Sequence, residues 1–303
     1  MMAAPADRPL RGILRHDEPM ARHTSWRVGG PARLWYQPAD LEDLAVFLRS
    51  LPAEERLVWV GLGSNLLVRD GGIDAVVIAP FGGLDALQML DDGLIRAEAG
   101  VACNKVARFA ARHGLVGAEF LAGIPGSMGG ALAMNAGAFG GETWRLVAAV
   151  ETIDRHGERR TRLPADFEVG YREVSGPAGE WFVAAHLRLE AGDVEGAQAR
   201  IRALLERRAA SQPIGEPSCG SVFRNPPGDH AARLIEACGL KGRCIGAACV
   251  SQRHANFIIN TGGARAADIE ALIVLVQAEV ERCQGVRLEP EVRILGVAGG
   301  AGG

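Results

Sequence analysis

The chain has no basic excess: 33 lysines and arginines face 36 aspartates and glutamates, a formal net charge of -3. Proteins that hold nucleic acid by neutralising phosphates carry such an excess or a basic stripe, so the charge argues against that class and leaves small anions as ligands. No window approaches the roughly 18 apolar residues of a membrane span. Met1 to His23 alternates charges with single apolar residues and offers no apolar stretch of signal-peptide length. A soluble protein, cytoplasmic if bacterial, with no membrane and no nucleic acid among its partners, is therefore expected. The cysteines, at 103, 219, 238, 244, 249 and 283, form no CxxC pair and no metal-type spacing with histidine. They read as reduced thiols in a chain without a metal site. Internal repeats are also missing, and the tail from Val297 to Gly303, only glycine and alanine after Val297, is expected to be disordered.

What is present is enough chain for two or three cores, 303 residues of which 48% are hydrophobic. Short apolar runs at Leu57 to Val60, Ala75 to Ala79, Leu94 to Ala97, Val147 to Ile153, Phe182 to Leu189, Asn256 to Asn260 and Val292 to Leu295 have strand length. Helical spacing lies between them. Leu41, Leu44, Ala45 and Leu48 follow the N-cap candidate Asp40, and Val106, Phe109 and Ala110 precede Gly114, a candidate C-terminal cap. Val194, Ala197, Ile201, Leu204 and Leu205 make one apolar face; Ile269, Leu272, Ile273, Val276, Val280 and Cys283 make another, which ends at Gly285. The class is α+β, a mixed α/β chain. Boundaries near Pro80 to Asp85 and within the Pro/Gly/Ser stretch Ser211 to Pro217 give three lobes, 1–82, 83–210 and 211–303, with the final strand returning to the first.

Glycine is concentrated in the first half. A strand runs into Gly61-Leu62-Gly63-Ser64-Asn65-Leu66, which offers consecutive N–H groups and a hydroxyl suited to a diphosphate. This is no Walker loop, since no Gly-Lys-Ser/Thr follows, and no Rossmann GxGxxG, since the third glycine and the ribose carboxylate are missing. Taken alone it is equally a glycine turn after a strand. From Gly114 to Gly141, glycine and alanine exceed half of the residues, through Gly123-Ile124-Pro125-Gly126-Ser127-Met128-Gly129-Gly130 and Asn135-Ala136-Gly137. Glycine loses the most backbone entropy on folding, so this density fits close approach to another surface, such as a flat ring, or else a tightly turned connection.

Three segments place a group capable of chemistry beside a strand or turn: Gly170-Tyr171-Arg172, Gly220 to Pro226, and Leu288 to Arg293. Arg172, Ser221 and Glu291 are the candidate catalytic residues. Each has a plainer reading, as a surface ion pair, a turn serine and an edge-strand glutamate. With Val28-Gly29-Gly30-Pro31-Ala32, Gly61 to Leu67, Gly123 to Gly130, Asn135 to Ala138 and His254-Ala255-Asn256-Phe257, these motifs run in order from about Thr24 to Gly296. The sequence resembles the UDP-N-acetylenolpyruvoylglucosamine reductases, flavoenzymes of bacterial cell-wall precursor synthesis. Only about fifty residues separate Arg172 from Ser221, as in the shorter subclass without a substrate-closing tyrosine loop. Two departures are visible: Phe139 stands where tyrosine is expected, and Cys219 where a small residue is expected.

The resemblance implies two lobes forming a vanillyl-alcohol-oxidase/PCMH-type FAD-binding unit, plus a C-terminal substrate-binding lobe. It implies noncovalent FAD, since no histidine lies in the second glycine segment for covalent attachment, and NADPH as hydride donor. The implied FAD contacts are Gly61, Gly63, Ser64, Asn65, Leu66, Gly123, Ile124, Pro125, Gly126, Ser127, Gly129, Gly130, Asn135, Ala136 and Gly137. Tyr171, Asn225, Lys241 and His254 match positions lining the sugar-nucleotide pocket, and Arg207, Arg208 and Arg243 are further candidates for its diphosphate. In the implied reaction an enolpyruvyl ether becomes a lactyl ether: Arg172 holds the substrate carboxylate, Glu291, with a raised pKa expected, hydrogen-bonds it if protonated or orients a neighbour if ionised, and Ser221 delivers the proton. A monomer is expected. An FAD-dependent oxidase of the same fold and a non-catalytic flavin or nucleotide-sugar binding protein are the alternatives; the second would keep the glycine loops but lose Arg172, Ser221 or Glu291.

Overall fold

The computed structural model describes residues 9–300. They form two compact units: residues up to His16, Leu34–Gly61 and Ala75–Ile201 in the first, and Asp17–Arg33, Leu62–Asp74 and Arg202 onward in the second. The α+β class expected from the sequence is observed.

In the first unit a five-stranded antiparallel sheet has the spatial order Arg159–Arg162, Val147–Asp154, Glu180–Leu187, Ile95–Glu98, Leu87–Met89. Leu57–Trp59 runs parallel to residues 76–78 in a second sheet. Helix α1, Leu41–Ser50, starts where Asp40 accepts a hydrogen bond from the Asp43 amide at 2.9 Å, the capping role that its position predicts. Leu44, Phe47 and Leu48 of α1 join Tyr36, Val76, Ile78, Ile153 and Val183 in one core cluster. Helices α2, Cys103–Arg112, and α3, Met128–Ala133, follow. The latter lies inside the glycine-rich segment, where low apolar periodicity hid it. Helix α4, Val194–Ser211, buries only Ala197 and Ile201 of its expected face, and Val194 is exposed.

The sheet also carries a charged cluster. Glu151 accepts from Arg96 Nε at 2.6 Å and Nη2 at 2.8 Å and lies 2.8 Å from His186 Nε2. Burial pushes the Glu151 carboxyl up, but the hydrogen bonds from Arg96 and His186 outweigh it and bring the pKa down to about 2. A depressed carboxyl contributes stability above its ordinary value of 4.5 and loses it as pH falls toward about 2. Glu151→Gln should therefore be less stable at neutral pH, where Arg96 loses its two-pronged carboxylate partner and keeps Glu98 at 3.2 Å, and should lose less further stability over that acid window. Denaturant titrations at stepped pH measure both slopes; parallel curves for the two proteins would contradict the assignment.

In the second unit Leu66–Val68 pairs in parallel with Arg293–Leu295. Cys244–Ile245, Ala248–Val250 and Ile258–Asn260 make a three-stranded antiparallel sheet. Helices α5, Ala231–Ala237, and α6, Ala266–Gln284, bury Leu234, Ile235, Ile269, Leu272, Ile273, Val276 and Val280 against Trp26, Phe223 and Leu288. Helix α6 ends at the left-handed Gly285, as its spacing predicts, and its first amides are held by Asp70, which accepts from Ala266 and Ala267 at 2.9 and 3.0 Å.

Two expectations are corrected. Cys244 and Cys249 are joined as a disulfide and are not reduced thiols; their separation escapes any CxxC search, but the hairpin sets them directly opposite, with Cα atoms 4.1 Å apart. Val297 is ordered by pairing with Gly71 and Gly72, at 3.0 and 2.9 Å, while residues 301–303 of the tail lie outside the described residues. Strand Ile13–Pro19 was not legible because its only buried residue is Glu18, so it carries no apolar alternation. Among the described residues no helix is long and apolar enough to cross a membrane.

Candidate active site

Arg172 belongs to the first unit. Strands Glu168–Gly170 and Glu173–Ser175 form a hairpin with Gly170 opposite Glu173, so Tyr171 and Arg172 are its two turn residues. Arg172 itself takes φ +59, a left-handed conformation that costs a non-glycine residue about 1–2 kcal/mol. Gly170, two residues earlier, does not occupy that position. The guanidinium is fixed in return: Nη1 donates to Asn135 O at 3.3 Å, Nη2 donates to Gly137 O at 3.1 Å, and Cζ lies 5.2 Å from the centre of the Tyr171 ring. Asn135, buried and also at positive φ, donates from Nδ2 to Gly170 O at 3.0 Å and accepts from the Trp144 amide at 3.2 Å. Asn135 and Gly137 therefore brace the arginine hairpin through their own groups. Ala136 is tied in by Thr143, whose hydroxyl donates to its carbonyl at 2.7 Å. An open cleft of about 480 Å³ beside the hairpin is lined by Asn135, Glu142, Trp144, Phe167 and Tyr171.

The two glycine segments meet within this unit at Gly61 and Ser127. A Cβ on Gly61 would overlap the Ser127 hydroxyl, and Ser127 is buried just before α3. Ile124 closes the short turn Glu119–Gly123, Pro125 is exposed, and the Gly126 carbonyl accepts from Cys103 at 2.9 Å. Gly123 and Gly129 are packed against Phe139 and Ala99, whereas Gly130 has room around it. Bare backbone next to a hydroxyl, at the meeting point of two glycine segments, fits a dinucleotide diphosphate.

Ser221 and Glu291 belong to the second unit, which draws their segments together. Val222 O accepts from the Glu291 amide at 2.7 Å, and Arg224 N donates to Glu289 O at 2.9 Å, around an antiparallel bridge between Phe223 and Pro290. Asn256, quoted above in the motif His254 to Phe257 but given no role there, is the clamp on this segment. Its carbonyl accepts from Val222 N at 2.9 Å, its Oδ1 accepts from Phe223 N at 3.0 Å, and its Nδ2 donates to Phe223 O at 2.8 Å. The motif marks Asn256, but only its burial shows that its carboxamide is the clamp. Asn65 braces the other side: Nδ2 donates to Glu291 O at 3.0 Å, and its own carbonyl accepts from Arg293 N at 3.1 Å. Leu66, next in sequence, is a buried strand residue, and Ser64 is partly exposed. Cys219 is buried, and burial pushes its thiol well up, so it is held protonated.

The remaining candidates of this unit do not all converge. Asn225 Oδ1 accepts from the Ala231 amide at 3.1 Å at the start of α5. Lys241 Nζ pairs with Glu236 at 2.7 Å, and burial together with the Lys241 charge pushes the His254 pKa down, so His254 is neutral near pH 7. Arg208 donates from Nε to Gln212 at 3.0 Å on α4, and Arg207 lies in the same turn.

Gly63 is required by the protein's own backbone. It sits at φ +62, and a Cβ there would strike the His23 carbonyl. Gly63→Ala should cost at least ~1–3 kcal/mol of stability from backbone strain alone, whereas Gly61→Ala displaces only the Ser127 hydroxyl and should fold while retaining less FAD. Chemical denaturation and flavin absorbance per chain separate the two; equal stability for both variants would refute this division.

The fold and the glycine loops define an FAD-binding protein, and residues 32–161 match the family model described as an FAD binding domain. Residues 212–295 match the UDP-N-acetylenolpyruvoylglucosamine reductase C-terminal domain. The UDP-N-acetylenolpyruvoylglucosamine reductase of Alkalilimnicola ehrlichii is 67% identical over 299 residues, covering 98% of this chain and 99% of that one. The enzyme of the same name from Methylococcus capsulatus is 60% identical over 296 residues, covering 98% and 97%. The crystal structure of UDP-N-acetylenolpyruvylglucosamine reductase from Thermus caldophilus superposes with a TM-score of 0.81 at 34% identity, covering 94% of this chain and 98% of that one. The chain belongs to the UDP-N-acetylenolpyruvoylglucosamine reductase family.

Proposed function

We propose that the chain catalyses the NADPH-dependent, FAD-mediated reduction of UDP-N-acetyl-3-O-(1-carboxyvinyl)glucosamine to UDP-N-acetylmuramate, a step of peptidoglycan precursor synthesis. Family membership supports the reaction class, and the observation that carries the assignment of residues is the pairing of the Ser221 and Glu291 segments through Val222. Residues 1–82 and 83–210 hold FAD, with Gly61, Gly63, Ser64, Asn65, Leu66, Gly123 to Ser127, Gly129, Gly130 and Asn135 to Gly137 as its cradle. Residues 211–303 hold the sugar nucleotide, with Tyr171 of the arginine hairpin added. FAD when bound supplies hydride transfer from NADPH to the methylene carbon of the enolpyruvyl group.

The protein's own groups handle the charge and the proton. Arg172 presents a permanent positive charge and a planar fork to the substrate carboxylate, where negative charge grows as hydride arrives. Because its turn and its two carbonyl partners fix the guanidinium in advance, little reorganisation is needed at that moment. Glu291 in its protonated form donates a hydrogen bond to the same carboxylate, and Ser221 delivers a proton to the carbon beside it. Asn225, Lys241 and His254 hold the sugar nucleotide. The enzyme works as a cytoplasmic monomer.

Mass spectrometry of the product tests this reading. With NADPH and the enolpyruvyl sugar nucleotide, a species two hydrogens heavier should form in step with NADPH loss. NADPH consumed with peroxide formed and the sugar nucleotide unchanged would instead identify an oxidase.

A further inference from the structure

The disulfide Cys244–Cys249 has no part in the chemistry above, and its position gives it one. Strand Cys244–Ile245 is two residues long and lies at the edge of its sheet, next to Ala248–Val250, which is paired on its other side with Ile258–Asn260. Lys241 lies three residues before Cys244, and His254 lies five after Cys249. Two backbone bonds tie the entering and leaving arms: Gly242 N to Val250 O and Val250 N to Arg243 O, both 2.9 Å. Beyond them Ser251 Oγ accepts from Arg253 N at 3.1 Å and His254 N at 3.4 Å. The arm bearing Lys241 is thus attached to the sheet by a short ladder and the disulfide, while Leu240 and Ile245 on either side of it pack on the core. Cys244 is exposed and Cys249 partly so, so both sulfurs are within reach of a reductant. The closed loop is short, and the entropic stabilisation a disulfide gives falls as its loop shortens, so opening this one leaves the folded unit in place.

We propose that Cys244–Cys249 is a reversible thiol-modification site at which dithiol reductants set the affinity of the Lys241 arm for the sugar nucleotide. The reaction is thiol–disulfide exchange. A thiolate of the reductant attacks one sulfur, the other cysteine leaves as a thiolate and takes a proton, and the second reductant thiol displaces the first cysteine. The protein disulfide gains two electrons and two protons, and the dithiol becomes a cyclic disulfide. The closed form holds the Lys241 arm ready for its ligand; the open form must order it on binding, a cost comparable to fixing one backbone residue and so about tenfold in affinity.

The proposal rests on Lys241 contacting the substrate, and the experiment separates the two. The FAD-loaded enzyme is assayed oxidised and after dithiothreitol, beside Cys244→Ser/Cys249→Ser and Lys241→Ala, with peptide mapping of each thiol and hydrogen exchange of residues 241–245. Reduction should raise the KM for the enolpyruvyl substrate about tenfold with kcat nearly constant and speed amide exchange in that arm. The double variant should match the reduced enzyme and ignore dithiothreitol; its thermal midpoint establishes that it is folded. An unchanged KM on reduction, with Lys241→Ala raising KM, overturns the switch and keeps the Lys241 contact. If neither changes KM, the Lys241 contact falls and the switch with it. Mapping that finds no 244–249 link after exposure to oxidised glutathione also overturns it.

Discussion

Ser221→Ala is expected to bind FAD normally and to accept hydride from NADPH at close to the parental rate, because neither step needs a proton at the lactyl carbon. Re-oxidation by the enolpyruvyl substrate should slow by ~10²–10⁴-fold, the range for loss of a positioned general acid. The structure makes the comparison clean. Ser221 follows Gly220, and the segment is held from Val222 onward by Asn256 and Glu291 backbone and side-chain bonds that do not use the serine hydroxyl. Truncation therefore leaves the clamp in place. Stopped-flow absorbance of the flavin resolves the two half-reactions, and re-oxidation at the parental rate would exclude Ser221 as proton donor.

Arg172→Lys should lower the substrate half-reaction by ~10²–10³-fold, the loss found when a preorganised donor to a developing anion is removed. Charge is kept, but the fork is not, and neither are the two bonds to Asn135 and Gly137 carbonyls nor the contact with the Tyr171 ring. FAD reduction by NADPH should change much less. A lysine also retains the left-handed turn cost, so the hairpin is not relieved of strain by the exchange. Equal losses in both half-reactions, accompanied by a drop in thermal stability, would assign Arg172 a structural role.

Local signals were legible in the sequence and long-range ones were not. The Asp40 cap and the Gly285 end of α6 are properties of a few neighbouring residues, and the structure has both. The candidate site residues are named by their motifs, but what holds their segments is contributed from far away. Asn65 reaches the Glu291 carbonyl across 226 positions, and Asn256 clamps Phe223 across 33. Both carboxamides stand in motifs, but neither motif announces the distant backbone group that its side chain holds. The Arg172 turn misleads in a different way, since Gly170 invites the left-handed position that Arg172 takes. Glycine density, read as room for a cofactor, is partly explained by internal packing, as Gly63 against His23 and Gly123 against Phe139 indicate. Cys244 and Cys249 meet because a hairpin forms, and a spacing rule for metals or redox motifs cannot see a hairpin.

The central claim is that one bound FAD carries hydride from NADPH to the enolpyruvyl sugar nucleotide, and an anaerobic titration of the flavin spectrum tests it most directly. The purified yellow protein should bleach on adding one equivalent of NADPH and recover its full absorbance on adding one equivalent of UDP-N-acetyl-3-O-(1-carboxyvinyl)glucosamine, with oxygen absent throughout. A flavin that bleaches but stays reduced until air is admitted would contradict the account.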